Sequence, residues 1–404
     1  MRKISVVLVF GIALILSFFA EASDIGSRGP GGPCQDQLAT SSDMPFFRIR
    51  VGGKYGYIDK TGAVVIEPQF DSAESFSEGL TEVRIGDIET GKWGYINKIG
   101  EYIAQPEFAC AWPFSEGLAA VQVGDMSSGK CGYIDKTGKM AIQPQFDKAL
   151  FFSEGMAPVC IGDSETGKWG YIDVAGNYIM EPKFDHVWSF SEGFAMVEIG
   201  NEETGKWGYI DKNGNYIAEP QFVLALPFSE GLAAVMIGNL YKGKWGFIDK
   251  TGKMIINADF DWAWPFLEGM APVQINGRWG YIDNTGSFVI KPAFDSAHTF
   301  SKGIAPVAVD NKYGYIDRTG TIVIDPQFDY AWPFSEGAAC VLIGDRETGK
   351  WGYINAYGDY IAKPQFDMAL RFVDGLARVR VGDAETGKWG YIDKSGKYIW
   401  EPSN

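Results

Sequence analysis

Carboxylates recur at fixed places in this chain and are the first side chains to consider for chemistry. An Asp follows Phe in segments such as Phe70-Asp71, and a Glu stands in Ser-Glu-Gly triplets such as Ser77–Gly79. Two carboxyl groups are the usual machinery of glycoside hydrolysis. Here, however, the same two acids return in almost every copy of a repeat, whereas an enzyme builds one site. We therefore expect structural roles for them.

Other catalytic and metal-binding arrangements are poorly supported. The two histidines, His186 and His298, occupy non-equivalent repeat positions, and the sequence has no Gly-x-Ser-x-Gly. The Asp-x-Glu-Thr-Gly segments gather oxygen atoms but lack the alternating ligands of a calcium loop. No glycine loop stands between a strand and a helix to hold phosphate. The sequence predicts no enzyme activity, no metal and no cofactor, with an envelope glycan-active hydrolase as the alternative.

Aromatic residues vary from copy to copy in two neighbouring columns of the repeat, and variation is where recognition is expected. One column runs Glu74, Trp112, Leu150, Trp188, Leu226, Trp264, His298, Trp332 and Leu370, and the other Ser72, Cys110, Lys148, His186, Leu224, Trp262, Ser296, Tyr330 and Met368. Aromatic side chains on a regular lattice can bind a peptide or glycan by stacking and apolar contact. The competing interpretation is that they fill the core. The candidate ligand-binding residues are Trp112, Trp188, Trp262, Trp264, Tyr330 and Trp332.

A repeated ten-residue phrase defines the elements that position these columns. Asp-x-Glu-Thr-Gly-Lys-Trp-Gly-Tyr-Ile stands at Asp87–Ile96, Asp163–Ile172, Asp345–Ile354 and Asp383–Ile392. The aromatic-Gly pair returns every 38 residues, except for two steps of 34 between Trp245 and Tyr313. A fixed period of this size indicates copies that bury their apolar faces against one another.

One copy, Lys206–Gly243, shows the expected local structure. Lys206–Asp211 alternates like a strand, Lys212–Gly214 is a turn, and Asn215–Ala218 is a second strand that Glu219-Pro220 ends or bends. Leu232–Gly238 is a further strand. In a short copy Asn276-Gly277 replaces the longer loop, as a hairpin allows. The Asp of Tyr-Ile-Asp should organise its turn, and the Trp-Gly pair should form the contact between units.

The predicted fold class is all-β: a tandem array of about ten short antiparallel meander units. A ring of four-stranded blades would need links of about 14 Å across three strand spacings. Glu-Pro and Ser-Glu-Gly reach only about 7 and 10 Å. We therefore prefer an open, twisted superhelix, with a closed propeller-like ring as the alternative. The ring gains some support because the first strand-like segment, Phe46–Gly52, and the last half unit together make one more unit.

The N-terminal sequence and the net charge indicate the location of the protein and the partners to expect. Residues 1–22 have the charged start, apolar core and small-residue cleavage pattern of a signal peptide, and 23–45 form a Gly- and Pro-rich leader. The array occupies 46–402, with nine full units from Lys54 plus the N-terminal strand and the C-terminal half unit. The net charge of −15 argues against nucleic acid, and no basic stripe offsets it. The five cysteines show no disulfide framework, although a single bridge remains open. We expect export to the periplasm, medium or cell surface, without membrane insertion after cleavage.

These repeats resemble the bacterial WG-repeat, or KWG-repeat, proteins. The shared repeat sequence is K-W-G-Y-I-D-K-x-G-K-x-x-I-x-P-x-F-D-x-A-x-x-F-S-E-G-L-A-x-V. Three copies depart from its Trp, with Cys131, Tyr55 and Tyr313 at that position. The resemblance implies a β-rich array of varied copy number, usually with no assigned activity. Together with the variable columns, it predicts a non-catalytic scaffold that binds a protein or a glycan of the cell envelope along an extended face. A purely structural spacer is a further alternative.

Overall fold

The computed structural model describes residues 45–163, 166–201 and 204–403. All regular structure in these ranges is β-strand, in ten small antiparallel sheets that stand as blades around an axis. The fold is a ten-bladed β-propeller. The predicted signal peptide, Cys34 and almost all of the predicted leader lie outside the described residues. Within the described ranges, no helix is long and apolar enough to cross a membrane.

Blade 1 has three strands and the other nine have four, in sequence order across each sheet. The strands of blades 1 to 3 are β1 (Phe47–Val51), β2 (Lys54–Ile58), β3 (Val64–Phe70), β4 (Ser72–Ala73), β5 (Leu80–Ile85), β6 (Lys92–Asn97), β7 (Tyr102–Phe108), β8 (Cys110–Ala111), β9 (Leu118–Val123), β10 (Lys130–Asp135) and β11 (Met140–Phe146). Blades 4 to 6 contain β12 (Lys148–Ala149), β13 (Met156–Ile161), β14 (Lys168–Asp173), β15 (Tyr178–Phe184), β16 (His186–Val187), β17 (Phe194–Ile199), β18 (Lys206–Asp211), β19 (Tyr216–Phe222), β20 (Leu224–Ala225), β21 (Leu232–Ile237), β22 (Lys244–Asp249) and β23 (Met254–Phe260). Blades 7 and 8 contain β24 (Trp262–Ala263), β25 (Ala271–Ile275), β26 (Arg278–Ile282), β27 (Phe288–Phe294), β28 (Ser296–Ala297), β29 (Ile304–Val309), β30 (Lys312–Asp317) and β31 (Ile322–Phe328). Blades 9 and 10 contain β32 (Tyr330–Ala331), β33 (Ala338–Ile343), β34 (Lys350–Asn355), β35 (Tyr360–Phe366), β36 (Met368–Val373), β37 (Leu376–Val381), β38 (Lys388–Asp393) and β39 (Tyr398–Ser403).

Tight turns with left-handed residues join the strands. In the first Ser-Glu-Gly turn, Glu78 has a φ of 52° and Gly79 a φ of 86°. Two positive φ values in sequence are the signature of a type I′ turn, whose twist matches a hairpin. Asn276 and Gly277 have φ values of 51° and 76° and join Ile275 to its partner Arg278. The predicted two-residue hairpin is therefore confirmed.

The fourth strand is bent at its proline and does not end there, which is one of the two outcomes predicted for the strand at Asn215–Ala218. β19 continues through Pro220 to Phe222, because a bulge lets the backbone pass without a ladder bond at the proline. The bulged segment lies close against the backbone of the third strand. A Cβ on Gly208 would lie 2.6 Å from the Ala218 carbonyl oxygen and 2.7 Å from the Pro220 nitrogen. The glycine of Trp-Gly is therefore required by the next strand of its own blade.

The Trp and Tyr of most copies form contacts between blades, as predicted. Trp93 and Tyr95 of blade 2 share a buried cluster with Ala111 and Val121 of blade 3. The tyrosine hydroxyl also donates a hydrogen bond to the next blade: that of Tyr95 donates to the Trp112 carbonyl oxygen at 2.7 Å. Equivalent bonds recur in the other tyrosine-bearing blades, so each junction combines apolar burial with a directed hydrogen bond.

The last blade packs against the first and closes the ring. Tyr391 donates from its hydroxyl to the Arg48 carbonyl oxygen at 2.8 Å, across 343 positions of sequence. The Phe47 and Tyr391 ring centroids lie 5.5 Å apart. A Cβ on Gly62 would lie 2.4 Å from the Ile399 carbonyl oxygen, matching the contact of Gly138 with the preceding blade. The preferred open, twisted superhelix is therefore wrong, and the closed propeller-like ring is the observed fold.

A stagger between blades explains why the short links suffice. The third strand of blade 2, β6, faces the first strand of blade 3, β8, and the fourth strand β7 faces β9. Each fourth strand therefore ends beside the start of the next blade, and Ala109 alone joins β7 to β8. The 14 Å requirement assumed blades stacked strand over equivalent strand, which they are not. The segment Phe46–Gly52 and the last half unit belong to separate neighbouring sheets and do not combine into one unit.

Candidate functional site

The two variable columns lie on the first strand of each blade and share one face. In blade 7, Trp262 pairs with Gln274 and Ala263 with Val273, so Trp262 and Trp264 project to one side and the buried Ala263 to the other. The Trp262 and Trp264 ring centroids are 6.3 Å apart. The sequence left this register open because of the prolines that follow, and the structure resolves it.

The Ser-Glu-Gly turns that follow the first strands are hydrogen-bonded to one another from blade to blade: Ser77 donates from Oγ to the Phe114 carbonyl oxygen at 2.7 Å. The Glu78 carboxylate accepts the backbone N–H of Glu116 at 2.7 Å and that of Gly117 at 3.0 Å. A chain of turn-to-turn hydrogen bonds therefore runs past the ends of the first strands, which carry the variable columns.

Aromatic residues of blades 8 and 9 gather into one group, which we call the aromatic patch: His298, Tyr313, Tyr330, Trp332 and Trp351. Tyr330 is at its centre. Its ring centroid lies 5.0 Å from that of Tyr313, 5.3 Å from Trp332, 5.8 Å from His298 and 6.2 Å from Trp351. These separations are typical of offset and edge-to-face aromatic pairs.

Cationic and buried groups border the patch. The Arg346 guanidinium carbon lies 5.1 Å from the Tyr330 ring centroid, within cation–π range. His298 is buried, and this desolvation lowers its pKa to about 4, so the imidazole is neutral near pH 7. Of the patch residues, His298 belonged to a variable column, whereas Tyr313 and Trp351 occupy the repeated Trp position that the sequence assigned to structure. Grouping these residues required the strand register, which could not be read from the sequence.

The six candidate binding residues are all half-buried. Tyr330 and Trp332 lie in the aromatic patch, and Trp262 and Trp264 form a pair in blade 7 that contacts the Trp245 ring at 5.6 Å through Trp262. Trp112 and Trp188 stand in blades 3 and 5 and pack against core clusters, as Trp332 also does. The structure therefore brings four of the six into two aromatic groups and places the other two in separate blades outside those groups.

The repeated acids are occupied by structural hydrogen bonds at opposite ends of the first strand. Asp71, at the link between blades, binds the Lys54 ammonium at 2.7 Å and accepts the Gly86 N–H at 2.9 Å. The bond from Lys54 holds the pKa of the Asp71 carboxyl below its usual range. Glu78 stands at the other end, in the turn described above. The two repeated acids therefore do not form the close pair that glycoside hydrolysis uses.

The turn acids act locally, as predicted for Tyr-Ile-Asp. Asp59 Oδ1 accepts the Thr61 N–H at 2.8 Å and the Ala63 N–H at 3.1 Å, and Asn97 replaces the Asp in the same role. Asp87 of the Asp-x-Glu-Thr-Gly loop accepts the Thr90 N–H at 2.7 Å. Across the described parts of the chain, no three His, Cys, Asp or Glu side chains are placed to hold a metal ion, and the four cysteines there are unbridged.

The sequence of the blades matches the family described as "WG containing repeat" in nine segments: 55–87, 93–126, 132–164, 169–202, 207–241, 245–279, 279–313, 313–346 and 351–383. The chain belongs to the WG-repeat family. The predicted resemblance is thereby confirmed.

A solved structure resembles this WG-repeat protein in fold at low sequence identity, and a second gives a weaker match. A crystal structure of a eukaryotic initiation factor has a TM-score of 0.52 at 12% identity, covering 88% of this chain and 95% of that one. Dipeptidyl peptidase 4 of Porphyromonas gingivalis has a TM-score of 0.47 at 10% identity, and the match spans 87% of this chain and 60% of that one. At such identities the likeness concerns the fold alone. No curated protein matches the sequence.

Proposed function

We propose that this WG-repeat propeller is an exported, non-catalytic scaffold that binds a protein or a cell-envelope glycan at the aromatic groups of blades 7 to 9. The observation that carries the proposal is the clustering of four variable-column aromatics, whereas the repeated positions are used to build the ring. Half-buried indole and phenol rings supply large contact area while losing little conformational entropy, which is why such residues are frequent in binding sites.

Two further features support a binding role over catalysis. The recurring carboxylates, which are the most numerous candidates for acid–base work, are engaged in bonds such as Asp71 to Lys54 and Glu78 to the next turn. His298 is buried among aromatic rings and neutral, a poor position for a general base that must reach a substrate. Export is proposed from the signal-like residues 1–22 alone.

A binding screen with matched variants tests the proposal. The mature chain would be applied to arrays of bacterial envelope glycans and of envelope-protein peptides, and hits would be titrated by intrinsic tryptophan fluorescence. We expect the Trp264→Ala/Trp332→Ala variant to lose at least about tenfold in affinity, since a buried aromatic contact contributes 2 kcal/mol or more. The control is Trp112→Ala/Trp188→Ala, which alters the same column outside the aromatic groups.

The outcomes separate the candidate roles. Equal loss in the two double variants would mean that the aromatics act through the stability of the first strands, which would contradict a site in blades 7 to 9. A protein that binds nothing on either array, yet retains full thermal stability, would favour a structural spacer.

A further inference from the structure

One junction of the ring departs from the hydrogen-bond pattern of its Ser-Glu-Gly turns. In seven junctions the carboxylate in the middle of one turn accepts the N–H of the glycine in the next turn, at 2.8 to 3.0 Å. Between blades 8 and 9 the middle residue is Lys302, which has no carboxylate. The backbone N–H groups of Glu336 and Gly337 in blade 9 therefore have no acceptor among the described residues. We call Ser335–Gly337 the open turn.

The backbone of the open turn is arranged like that of the turns that hold a carboxylate. Ser301 donates from Oγ to the Phe334 carbonyl oxygen at 2.7 Å, so the contact between the two blades is kept. Glu336 and Gly337 have φ values of 50° and 85°, close to the 55° and 83° of Glu116 and Gly117. Successive backbone N–H groups in such a turn form a concave site for an anion. The open turn therefore presents two donors in a geometry that binds carboxylate elsewhere in the ring.

The charges at this junction are changed on both sides. In other junctions a cation from the turn between the third and fourth strands of the next blade approaches the glutamate, as Lys136 does to Glu78 at 3.0 Å. In blade 9 the residue at that place is Ala356. Lys302 is exposed and forms no ion pair with any other residue that the structure describes. A cation thus stands where the repeat has an acid, and a neutral residue stands where it has a cation.

The acids nearest to the open turn have their own partners. Glu268 accepts the N–H of Lys302 at 2.5 Å and lies 3.8 Å from the Arg318 guanidinium. The Glu336 carboxylate points onward to blade 10, where it accepts the Gly375 N–H at 3.0 Å and binds the Lys394 ammonium at 3.0 Å. Asp359, in the same turn as Ala356, accepts a hydrogen bond from Asn355 at 3.4 Å. Each of the two flanking glutamates is thus matched by a cation, and the charge of Lys302 is additional.

We propose that the open turn binds a side-chain carboxylate of an acidic peptide, held by the N–H groups of Glu336 and Gly337 with Lys302 as its counter-ion. A carboxylate fits because Glu78 places one oxygen on the Glu116 N–H and the other on the Gly117 N–H. A peptide is favoured over an acidic sugar because Glu336 is half-buried, and in the other junctions the carboxylate arrives on the two-methylene arm of a glutamate. The carboxylate of a uronic acid is attached directly to the sugar ring and has no such arm. The site uses none of the aromatic residues of blades 7 to 9, so it does not rest on the function proposed above.

Nuclear magnetic resonance of the ¹⁵N-glycine-labelled mature chain tests the proposal with the peptide acetyl-Gly-Glu-Gly-amide. The Gly337 amide signal would be assigned by its absence from Gly337→Asn, since Asn tolerates a left-handed backbone. We expect a saturable downfield shift of the Gly337 amide proton as it donates to the carboxylate. The uncharged peptide acetyl-Gly-Gln-Gly-amide should bind at least about fivefold more weakly, because its hydrogen bonds are not charge-assisted.

Three variants test the role of Lys302. Lys302→Glu restores the residue of the repeat, and we expect its carboxylate to bind the Gly337 N–H within the chain and to abolish the peptide-induced shift. Lys302→Gln should weaken peptide binding about twofold to fivefold, the loss expected for one exposed ion pair. The matched control is Lys253→Glu, which reverses the same charge on an exposed turn of blade 6 and should leave the affinity within about twofold.

The contrary results are equally specific. A wild-type Gly337 amide that does not respond to the glutamate peptide would overturn the proposal. So would a Lys302→Glu protein that binds the peptide as well as the wild type does, because the turn would then be filled from within the chain. Saturable movement of the Gly337 amide by glucuronate, with none by the glutamate peptide, would assign the turn to an acidic sugar and would also overturn it.

Discussion

Replacing Phe47 by Ala tests ring closure, because it restores the residue that the repeat itself prefers. Phe47 pairs with Ile58 in blade 1, the position held in blade 3 by Ala119 opposite Ile134. Blades 3 to 10 all have Ala there. From the repeat alone, Phe47→Ala should be neutral or stabilising. The structure predicts the opposite, because Phe47 is only 8% exposed and packs on Tyr391 of the last blade.

The expected cost follows from the buried ring. Removing a buried Phe side chain typically costs about 3–5 kcal/mol, and we take the lower figure of about 3 kcal/mol. For a cooperative unit of about 350 residues, the unfolding entropy is roughly 0.7 kcal/mol/K, so calorimetry should show a Tm lower by about 4 °C. Phe47→Leu should recover most of this loss.

A variant in the interior of the ring provides the reference. Phe114 is 2% exposed and packs edge-on against Tyr95 at 5.2 Å, so Phe114→Ala measures the same truncation between consecutive blades. If the ring is closed in solution, the two alanine variants should have comparable costs. A Phe47→Ala protein as stable as the wild type, beside a destabilised Phe114→Ala, would refute the closure contact.

Three other predictions concern the repeated and buried groups. Gly170→Ala should destabilise by about 2–3 kcal/mol in urea unfolding, because its Cβ would lie 2.8 Å from the Pro182 nitrogen; a neutral result would contradict the bulged strand. Lys130→Met, which removes the ammonium from Asp147 and leaves the Asp147 bond to the Gly162 N–H in place, should cost only about 0.5–1 kcal/mol and less at high salt, and a loss independent of salt would contradict the ion pair. Burial lowers the pKa of His298 from 6.5 to about 4, so the unfolded chain takes up the proton first, and stability should fall by roughly 3 kcal/mol as pH drops through that window. His298→Leu should flatten this dependence, and an unchanged slope would assign it to other groups.

The repeat unit could be predicted from sequence because its signals are local. Alternation in Lys206–Asp211, the Asn276-Gly277 hairpin and the turn role of Asp59 depend on neighbouring residues, and the structure confirms each. For the proline in the fourth strand the sequence left two outcomes open, an end or a bend, and the structure shows a bulge with Pro220 inside β19. No local pattern encodes that bulge except the glycine of Trp-Gly, whose missing Cβ admits the passing backbone.

Ring closure could not be predicted from the sequence because it depends on how the blades pack against one another. The link argument treated blades as stacked in register, whereas β6 faces β8 and β7 faces β9, so one residue crosses between blades. The choice of candidate aromatics was limited in the same way. Tyr330 contacts both Tyr313 of the preceding blade and Trp351 of its own, and these contacts join residues that the sequence had divided between structural and variable columns.

Ring closure also changes what the sequence suggested about charge, because it brings together arginines that are far apart along the chain. Arg48 and Arg50 stand near the start of the described chain, and Arg378 and Arg380 near its end. Along the sequence they are isolated charges in an acidic protein, and no basic stripe was expected. The contact of Phe47 with Tyr391 brings their strands into adjacent blades.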